Sequence, residues 1–349
     1  MILVIQGWLP HYRLELFNAL AAIENVAVVH SGEPARRDGD LFEEVVLPVK
    51  PLGPFMLQQG ILDVIEARQP RAIIAMFDVR WVNTVRAMYR FDRRLKWVWW
   101  GLDRGRSDWA TKVKLLFARR PNPIVFYNEV TRAAFSSDLG PRVPLFVANN
   151  TFHVPNRAEC FRNPVKNRII NVGSLEARKE NGVTIRVLKK ICDDTGADIR
   201  FSLIGDGPDR ATLTALVAEL GMQDRVELVG RIDAPSELAR YYAEAIASVS
   251  FGQAGLAVLQ SMAFGVPFLT KENAVSGGEK HNISDGETGI IVKDDPVALE
   301  AALRRLFADP DAARRLGEAA YHYYSEAATV ENMVANFVKA IDAAGPSHD

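Results

Sequence analysis

Two adjacent cations near the middle of the chain are candidates for binding phosphate. Arg178 and Lys179 end the stretch GSLEARK, which follows a strand-like segment, and a helix is predicted to begin at about Asn181. The free N–H groups and the dipole at a helix N-terminus attract anions, so cations beside it complete an anion site. A basic turn exposed to solvent fits the same residues, and this stretch alone does not separate the two interpretations.

Two later loops leave room for a ligand close to the backbone. Gly205, Asp206 and Gly207 follow a strand-like segment, and glycines there let the backbone approach a flat group such as a base. The stretch SFGQAGLAVLQSMAFGVP, which begins at Ser250, predicts a strand end, a small-residue loop and an apolar helix, where a diphosphate can rest on backbone N–H groups. Neither loop has a Walker lysine or a complete G-x-G-x-x-G, and plain strand-to-helix turns fit both.

The elements that must position these loops alternate along the whole chain. Apolar, β-branched segments of strand length are separated by amphipathic stretches, which is typical of parallel sheets with crossover helices. The predicted strands are 1–6, 26–30, 71–77, 97–101, 124–127 and 145–148 in the first half, and 169–175, 199–204, 226–229, 246–250, 267–270 and 289–292 in the second.

A chain of 349 residues is long enough for two domains. We predict a first domain over 1–155, a polar linker over 156–167, a second domain over 168–328, and a C-terminal helix and tail over 329–349 that crosses back to the first domain. Both domains are expected to be Rossmann-like, doubly wound α/β units that face a cleft. Ligands of such domains bind outside the carboxyl ends of the strands.

Composition excludes several classes of protein. Hydrophobic residues at 48% and charged residues at 24% match soluble globular proteins, and no apolar run is long enough to span a membrane. A net charge of -1 argues against a general nucleic-acid binder, and two cysteines cannot build a disulfide framework or a four-thiolate zinc site. We expect a cytoplasmic protein, either free or held on the inner face of the membrane.

The charge is unevenly distributed, because residues 80–120 hold twelve Lys or Arg against three acids, a net charge of +9. Five of the six tryptophans lie in the same segment. Cations with interfacial tryptophans suit a surface that touches anionic lipid headgroups. Trp97, Trp99 and Trp100 fall in a predicted strand, so burial in the core is the alternative. RNA binding lacks a module signature.

In their order along the chain, the motifs resemble the retaining nucleotide-sugar glycosyltransferases of the GT-B fold, family 4. The resemblance covers nearly the whole chain and rests on PHYRLELFNAL, WWGLDRGRS, VGSLEARK, LIGDGP, DRVELVGRI and GLAVLQSMAFGVPF. It implies that the first domain binds the acceptor and the second binds a nucleotide diphosphate sugar, with no metal and no cofactor besides that donor substrate.

The resemblance also implies roles for particular residues. Lys179 would bind the donor diphosphate, and Arg178 could supply a second charge there. Independently of the resemblance, His11 and His281 are candidate bases by residue type, although a lone loop histidine is more often a bystander. Glu279 follows two glycines and would reach the sugar, but a surface turn fits it equally. The resemblance also points to Gly205 and Arg231 near the base and to Gly255 and Leu256 at the diphosphate and sugar. The complete set of candidate donor-binding residues is Ser174, Gly205, Asp206, Gly207, Arg231, Gln253, Ala254, Gly255, Leu256, Gln260 and Glu279.

Several positions depart from the family pattern. The two glutamates of the family, with seven residues between them, fall on Gly252 and Gln260. The arginine often found at the position of Ser174 is missing, and the histidine of the family's WGH loop is Leu102. These losses put the donor contacts in question while leaving the fold expectation intact.

The function expected from these motifs is transfer of a sugar from a nucleotide diphosphate donor to a glycan or lipid-linked acceptor. Cell-surface polysaccharide or lipopolysaccharide biosynthesis is the setting that the resemblance implies, with retention of anomeric configuration. One alternative is a nucleotide-sugar 2-epimerase, which shares the fold and needs acid and base carboxylates. The other is a catalytically inactive binding subunit, motivated by the missing glutamates.

Overall fold

The structure, a computed structural model, describes residues 1–105, 107–155, 157–232 and 234–345 and divides the chain into two compact units. Unit 1 comprises Met1–Thr151 and Thr329–Asp349, and unit 2 comprises Phe152–Ala328. Each unit contains a parallel sheet with crossover helices. The predicted fold class, two doubly wound α/β domains, is confirmed.

The sheet of unit 1 has seven strands, all paired in parallel. Their spatial order is β3-β2-β1-β6-β7-β8-β9, so the direction of winding reverses between β1 and β6. Ligands of doubly wound sheets bind at this switch point. The strands are β1 (Ile2–Ile5), β2 (Val26–His30), β3 (Glu43–Val46), β6 (Ala72–Met76), β7 (Lys96–Trp100), β8 (Ile124–Phe126) and β9 (Leu145–Val147), and a hairpin is formed by β4 (Val49–Leu52) and β5 (Phe55–Gln58).

Within the described ranges, six α-helices pack on the unit 1 sheet, and the last of them returns from the end of the chain. That helix buries Phe337 against Trp100, with ring centroids 5.0 Å apart, and the Lys96 ammonium donates to the Ile341 carbonyl at 3.0 Å. The predicted return of the C-terminal helix to the first domain is therefore confirmed. The helices are α1 (Leu14–Ala21), α2 (Ile61–Arg68), α3 (Val82–Phe91), α4 (Asp108–Ala118), α5 (Glu129–Leu139) and α12 (Val330–Ala343).

The strands β3, β4 and β5 were not predicted from the sequence. Their residues are largely exposed or half-buried, and the segment contains Pro48, Pro51 and Pro54, so neither an apolar run nor a clear alternation marks it. Pairing with β2 and within the hairpin defines these strands instead.

The sheet of unit 2 has six parallel strands in the order β12-β11-β10-β13-β14-β15, with its switch point between β10 and β13. Buried side chains of the strands and helices form two apolar clusters, one on each face. The strands are β10 (Arg168–Val172), β11 (Arg200–Ile204), β12 (Val226–Gly230), β13 (Ala245–Val249), β14 (Phe268–Lys271) and β15 (Gly289–Val292). The helices are α6 (Asn181–Thr195), α7 (Arg210–Glu219), α8 (Pro235–Glu244), α9 (Ala257–Ala263), α10 (Pro296–Ala308) and α11 (Pro310–Ala327).

Residues of the predicted linker 156–167 pack within unit 2. Cys160 and Phe161 are buried in a short 3-10 turn, and the Lys166 ammonium donates to the carbonyls of Cys160, Ala243 and Ala245 at 2.8 to 3.0 Å. Burial lowers the pKa of Lys166 to about 8. These hydrogen bonds tie the segment to the end of α8 and the start of β13, which a polar sequence without periodicity does not reveal.

Most tryptophans of the basic segment are buried. Trp81, Trp97, Trp99 and Trp100 pack in the interior of unit 1, whereas Trp109 on α4 is 74% exposed. The expectation that tryptophans of this segment touch lipid headgroups is wrong for these four buried rings. Trp97, Trp99 and Trp100 are on β7, which lies inside a sheet covered on both faces, and Trp81 is buried just before α3.

Candidate functional site

The loops predicted to bind the donor meet at the carboxyl edge of the unit 2 sheet. The Gly173 N–H donates to the Ile204 carbonyl at 2.8 Å, and the Gly205 N–H donates to the Gly230 carbonyl at 2.7 Å. The Gly252 N–H donates to the Lys179 carbonyl at 3.1 Å. The loops after β10, β11, β12 and β13 are therefore joined by backbone hydrogen bonds at the switch point.

Two predicted glycines are required by close backbone contacts. A Cβ on Gly205, which has a φ of +140°, would lie 2.0 Å from the Gly173 carbonyl oxygen. A Cβ on Gly207 would lie 2.3 Å from the carbonyl oxygen of Leu175. Both glycines thus serve the packing of one loop on another, a role that does not need a ligand.

Lys179 lies in this layer of loops and is only 8% exposed. Its ammonium nitrogen lies beside the backbone of Gly173, since a Cβ there would be 2.5 Å from it. Burial lowers the pKa of Lys179 to about 8, while Glu176 opposes the shift and Arg178 adds to it. A desolvated cation at the carboxyl edge of a parallel sheet is suited to stabilising negative charge on a ligand.

Arg178 and Ser174 are both engaged by Glu176. The Arg178 guanidinium pairs with the Glu176 carboxylate at 2.7 Å, and the Ser174 hydroxyl donates to the same carboxylate at 2.7 Å. The Ser174 hydrogen bond is the main cause that lowers the pKa of Glu176, and Arg178 adds to it. Arg178 is exposed at the rim of the loops, so it can add charge to the site without being buried.

The first turn of α6 directly follows Lys179. Glu180 adopts a left-handed conformation with φ +56°, and its carboxylate pairs with the Lys271 ammonium at 2.6 Å. Asn181 is 1% exposed, and both polar atoms of its side chain lack a hydrogen-bond partner. A buried amide without a partner costs free energy, and a polar ligand group at this turn would offset that cost.

The loop after β13 leads into α9. Ala254 donates its N–H to the Val275 carbonyl at 2.9 Å, and Gly255 and Leu256 are half-buried just before the helix. The side-chain oxygen of Gln253 is buried without a hydrogen-bond partner, and Gln260 is 7% exposed one turn into the helix. The side chains of Gln253 and Gln260 therefore add neutral amides, and no carboxylate, to this loop and helix.

Glu279 bonds to its own loop. Its carboxylate accepts from the Gly277 N–H at 3.0 Å, and the side chain is buried at the start of a 3-10 turn. His281 lies in the same turn and is exposed. The Glu279 carboxylate is thus buried against its own turn, and its contact to the sugar stays a prediction.

The remaining predicted residues are more exposed. The Asp206 carboxylate accepts from the Gly207 N–H at 2.8 Å, which stabilises its own turn, and Arg231 is exposed just after β12. His11 lies on unit 1, exposed in a 3-10 turn before α1. Among the residues that the structure describes, no group of three or more His, Cys, Asp or Glu side chains is arranged to hold a metal ion.

Sequence reasoning missed three side chains of this site. Glu180 and Lys271 lie 91 positions apart and meet only because β14 runs next to β13. Asn181 was predicted as a helix start, and nothing in its sequence context marks it as buried. Glu180 and Lys271 are brought together by the order of strands in the sheet, so no local sequence motif would have identified their contact.

Comparison with known proteins relates this chain to glycosyltransferases. Residues 156–323, just under half of the chain, match the model of the family described as glycosyl transferases group 1. An N-acetyl-alpha-D-glucosaminyl L-malate synthase from Bacillus anthracis is 27% identical over 170 residues, which is 48% of this chain and 43% of that protein. A GDP-mannose-dependent alpha-(1-6)-phosphatidylinositol dimannoside mannosyltransferase from Mycobacterium tuberculosis is 28% identical over 180 residues, which is 50% of this chain and 45% of that protein. The chain thus spans less than half the length of these relatives.

Solved structures extend the likeness to the whole fold. The Anabaena protein Alr3699/HepE in complex with UDP superposes with a TM-score of 0.75 at 16% identity, over 98% of this chain and 99% of that one. At this identity the likeness shows the fold alone, which is GT-B. Among the described residues, no helix is long and apolar enough to cross a membrane.

Proposed function

We propose that this chain, whose second unit carries a group 1 glycosyltransferase domain, transfers a sugar from a nucleotide diphosphate sugar to an acceptor. The observation that carries the proposal is Lys179, a buried cation at the switch point of the unit 2 sheet, beside the start of α6. A ligand with a diphosphate between a flat base and a sugar matches the chemistry of this edge, where a cation, amides and tightly packed glycine loops lie together.

The chemical step requires stabilisation of the leaving nucleoside diphosphate. Negative charge grows on the diphosphate as its bond to the anomeric carbon breaks, and a preorganised cation in a poorly solvated site stabilises that charge. Lys179 supplies the buried cation and Arg178 a second one at the rim. Retention of the anomeric configuration is part of this proposal and follows from the family resemblance.

For the acceptor we propose a glycan or lipid-linked sugar of cell-surface polysaccharide biosynthesis. Similarity to an N-acetyl-alpha-D-glucosaminyl L-malate synthase and to a phosphatidylinositol dimannoside mannosyltransferase supports a small or lipid-linked acceptor. Action on the inner face of the membrane would give the enzyme access to a lipid-linked acceptor.

The decisive experiment measures nucleotide binding and product formation with purified protein. Calorimetric titration with UDP, GDP, ADP and dTDP should give selective binding of one nucleotide. Incubation of the matching nucleotide sugar should release the nucleoside diphosphate, and NMR of the product should show the donor's anomeric configuration. Conversion of the free donor into its 2-epimer would support the epimerase alternative, and binding without turnover would support an inactive binding subunit.

A further inference from the structure

A cavity opens within unit 1, at the switch point between β1 and β6. It has a volume of about 400 Å³ and is lined by residues that follow both strands. Its walls include Trp8, which is half exposed, and Trp81, whose ring meets that of Trp8 edge to face at 5.8 Å. Gly7 is required beneath them, because a Cβ there would lie 2.4 Å from the Trp81 ring. The size and the aromatic walls suit a single sugar ring or a molecule of similar size.

The cavity also contains a buried cation without an acidic partner. Arg13 is 7% exposed, and its guanidinium donates to the Gln6 amide oxygen at 2.9 Å, the Met76 sulfur at 3.0 Å and the Tyr127 hydroxyl at 2.9 Å. It lies 4.3 Å over the ring of Trp100. All of these partners are neutral, and within the described parts of the chain Arg13 forms no ion pair with a carboxylate inside 4.0 Å.

The other charges of the cavity cancel. Asp78 and Arg80 also line it, and the Arg80 guanidinium pairs with the Asp78 carboxylate at 2.9 Å through Nε. The lining therefore has a net charge of +1, which resides on Arg13. Two donors of this cavity, Nε of Arg13 and the amide nitrogen of Gln6, are buried and have no acceptor.

A buried charge without a counter-ion is costly, and so are buried donors without acceptors. The site would be relieved of both costs by a ligand that brings one negative charge and several acceptor oxygens. A carboxylate or a phosphate has this chemistry, and a guanidinium recognises either one through its fork of N–H donors.

We infer that this cavity binds an anionic acceptor, a sugar-sized molecule whose carboxylate or phosphate is neutralised by Arg13 and Gln6 while its ring packs on Trp8 and Trp81. That the ligand is an acceptor rests on the proposed function, whereas its binding here rests on the cavity alone. The reaction would then add a sugar to a substrate that is already negatively charged.

The test compares three probes of similar size at constant ionic strength, glucuronate, glucose 6-phosphate and glucose, by calorimetry and by tryptophan fluorescence. At least one anionic probe should bind wild-type protein about tenfold more tightly than glucose, a difference of about 1.4 kcal/mol. The two anionic probes distinguish a carboxylate from a phosphate as the recognised group. Equal affinity of all three probes, or no binding of either anion, overturns the inference.

Variants locate the effect. Arg13→Met should remove the preference for the anion, Arg13→Lys should keep part of it, and Arg90→Met, which removes an exposed cation of the same unit, should leave it unchanged. If Arg13→Met fails to fold, the exposed Trp8→Ala variant should still lose affinity for the anionic probe. An unchanged preference in folded Arg13→Met, or unchanged affinity in Trp8→Ala, overturns the inference.

Titration with the donor nucleotide separates this inference from the proposed function. UDP or another nucleotide that binds wild-type protein should bind Arg13→Met with unchanged affinity, because Arg13 lies on unit 1 and Lys179 on unit 2. Nucleotide binding without anion preference overturns the anionic acceptor alone, and absence of any nucleotide binding overturns the proposed function alone.

Discussion

Gly252 has no room for a side chain, because Glu180 and the backbone before it fill the space. A Cβ on Gly252 would lie 2.2 Å from the Arg178 carbonyl oxygen and 2.9 Å from Cγ of Glu180. The resemblance predicts a family glutamate at Gly252, and the structure instead places the carboxylate of Glu180 beside that position, paired with Lys271. The loop after β10 thus supplies a carboxylate where the loop after β13 lacks one.

The crowding at Gly252 predicts a loss of stability on substitution. Gly252→Ala should lower the free energy of unfolding by about 1 to 3 kcal/mol, because the added methyl overlaps a backbone oxygen that cannot rotate away. Chemical denaturation measures the change. The double variant Gly252→Ala with Glu180→Ala should not regain wild-type stability, since the nearest atom belongs to the backbone of Arg178. Full recovery in the double variant would show that the side chain of Glu180 is the obstacle.

Loss of the Lys179 ammonium should slow the chemical step. We expect Lys179→Ala to lower turnover by about one to several orders of magnitude, because the buried cation stabilises the leaving diphosphate most strongly in the transition state. Steady-state assays with the donor found by titration measure it. Arg178→Ala, which removes the exposed cation, should have a smaller effect, and circular dichroism should show both variants folded. Wild-type turnover in Lys179→Ala would contradict the assignment of the donor site.

The lowered pKa of Lys179 predicts proton uptake on donor binding. The pKa of Lys179 is about 8 in the folded protein against an ordinary value of 10.5, so the folded protein holds fewer protons than the unfolded chain between these pH values. The contribution of Lys179 to the free energy of unfolding therefore increases as pH rises above about 8, and below that pH this contribution is absent. A bound diphosphate favours the charged form, so at pH 9 binding should take up close to one proton and at pH 7 almost none.

Calorimetry in two buffers of different ionisation enthalpy measures that uptake. Affinity for the nucleotide should fall as pH rises above about 8 in wild-type protein, and this pH dependence should disappear in Lys179→Arg, whose guanidinium stays charged. Identical proton uptake at pH 7 and pH 9 in wild-type protein would refute the link between Lys179 and the diphosphate.

Gln260 should bind the donor ribose in place of a family glutamate. Its side chain is buried on α9, and a neutral amide both donates and accepts hydrogen bonds. Gln260→Ala should weaken donor binding about tenfold, since loss of one hydrogen bond costs about 1 kcal/mol and leaves a partner unpaired. Gln260→Glu is the matched control and should bind at least as tightly as wild type. A large loss of thermal stability in Gln260→Ala with unchanged donor affinity would instead assign Gln260 a packing role.

The basic face of unit 1 should bind anionic vesicles. Four tryptophans of the segment are buried, so exposed apolar contact there comes from Tyr89, Trp109 and Leu116. Trp109 and Leu116 lie seven residues apart on α4, and the exposed Lys112 lies between them in the chain. Flotation with phosphatidylglycerol vesicles should show binding that weakens as salt rises, because exposed charges are screened over about 8 Å at physiological ionic strength. Trp109→Ala with Leu116→Ala should reduce it. Equal binding to neutral vesicles, or none to either, would refute a membrane face.

The sequence by itself determined the architecture and which loops follow the strands of the unit 2 sheet. Buried parallel strands such as β1 and β10 are short apolar runs, and the loops with Lys179 and Gly205 follow such runs directly, so local pattern and chain order were enough. The strand pair β4 and β5 was missed because exposed hairpins carry little of that pattern.

Only the tertiary structure decided which side chains meet and which are buried. Glu180 beside Gly252, Lys271 on Glu180, and Arg13 on Met76 and Tyr127 are contacts between distant parts of the chain, fixed by which strands lie side by side in the sheets. The burial of Trp97, Trp99 and Trp100 has the same origin. A charged or aromatic residue can lie in a core or on a surface. Its residue type does not tell which, because burial depends on tertiary packing.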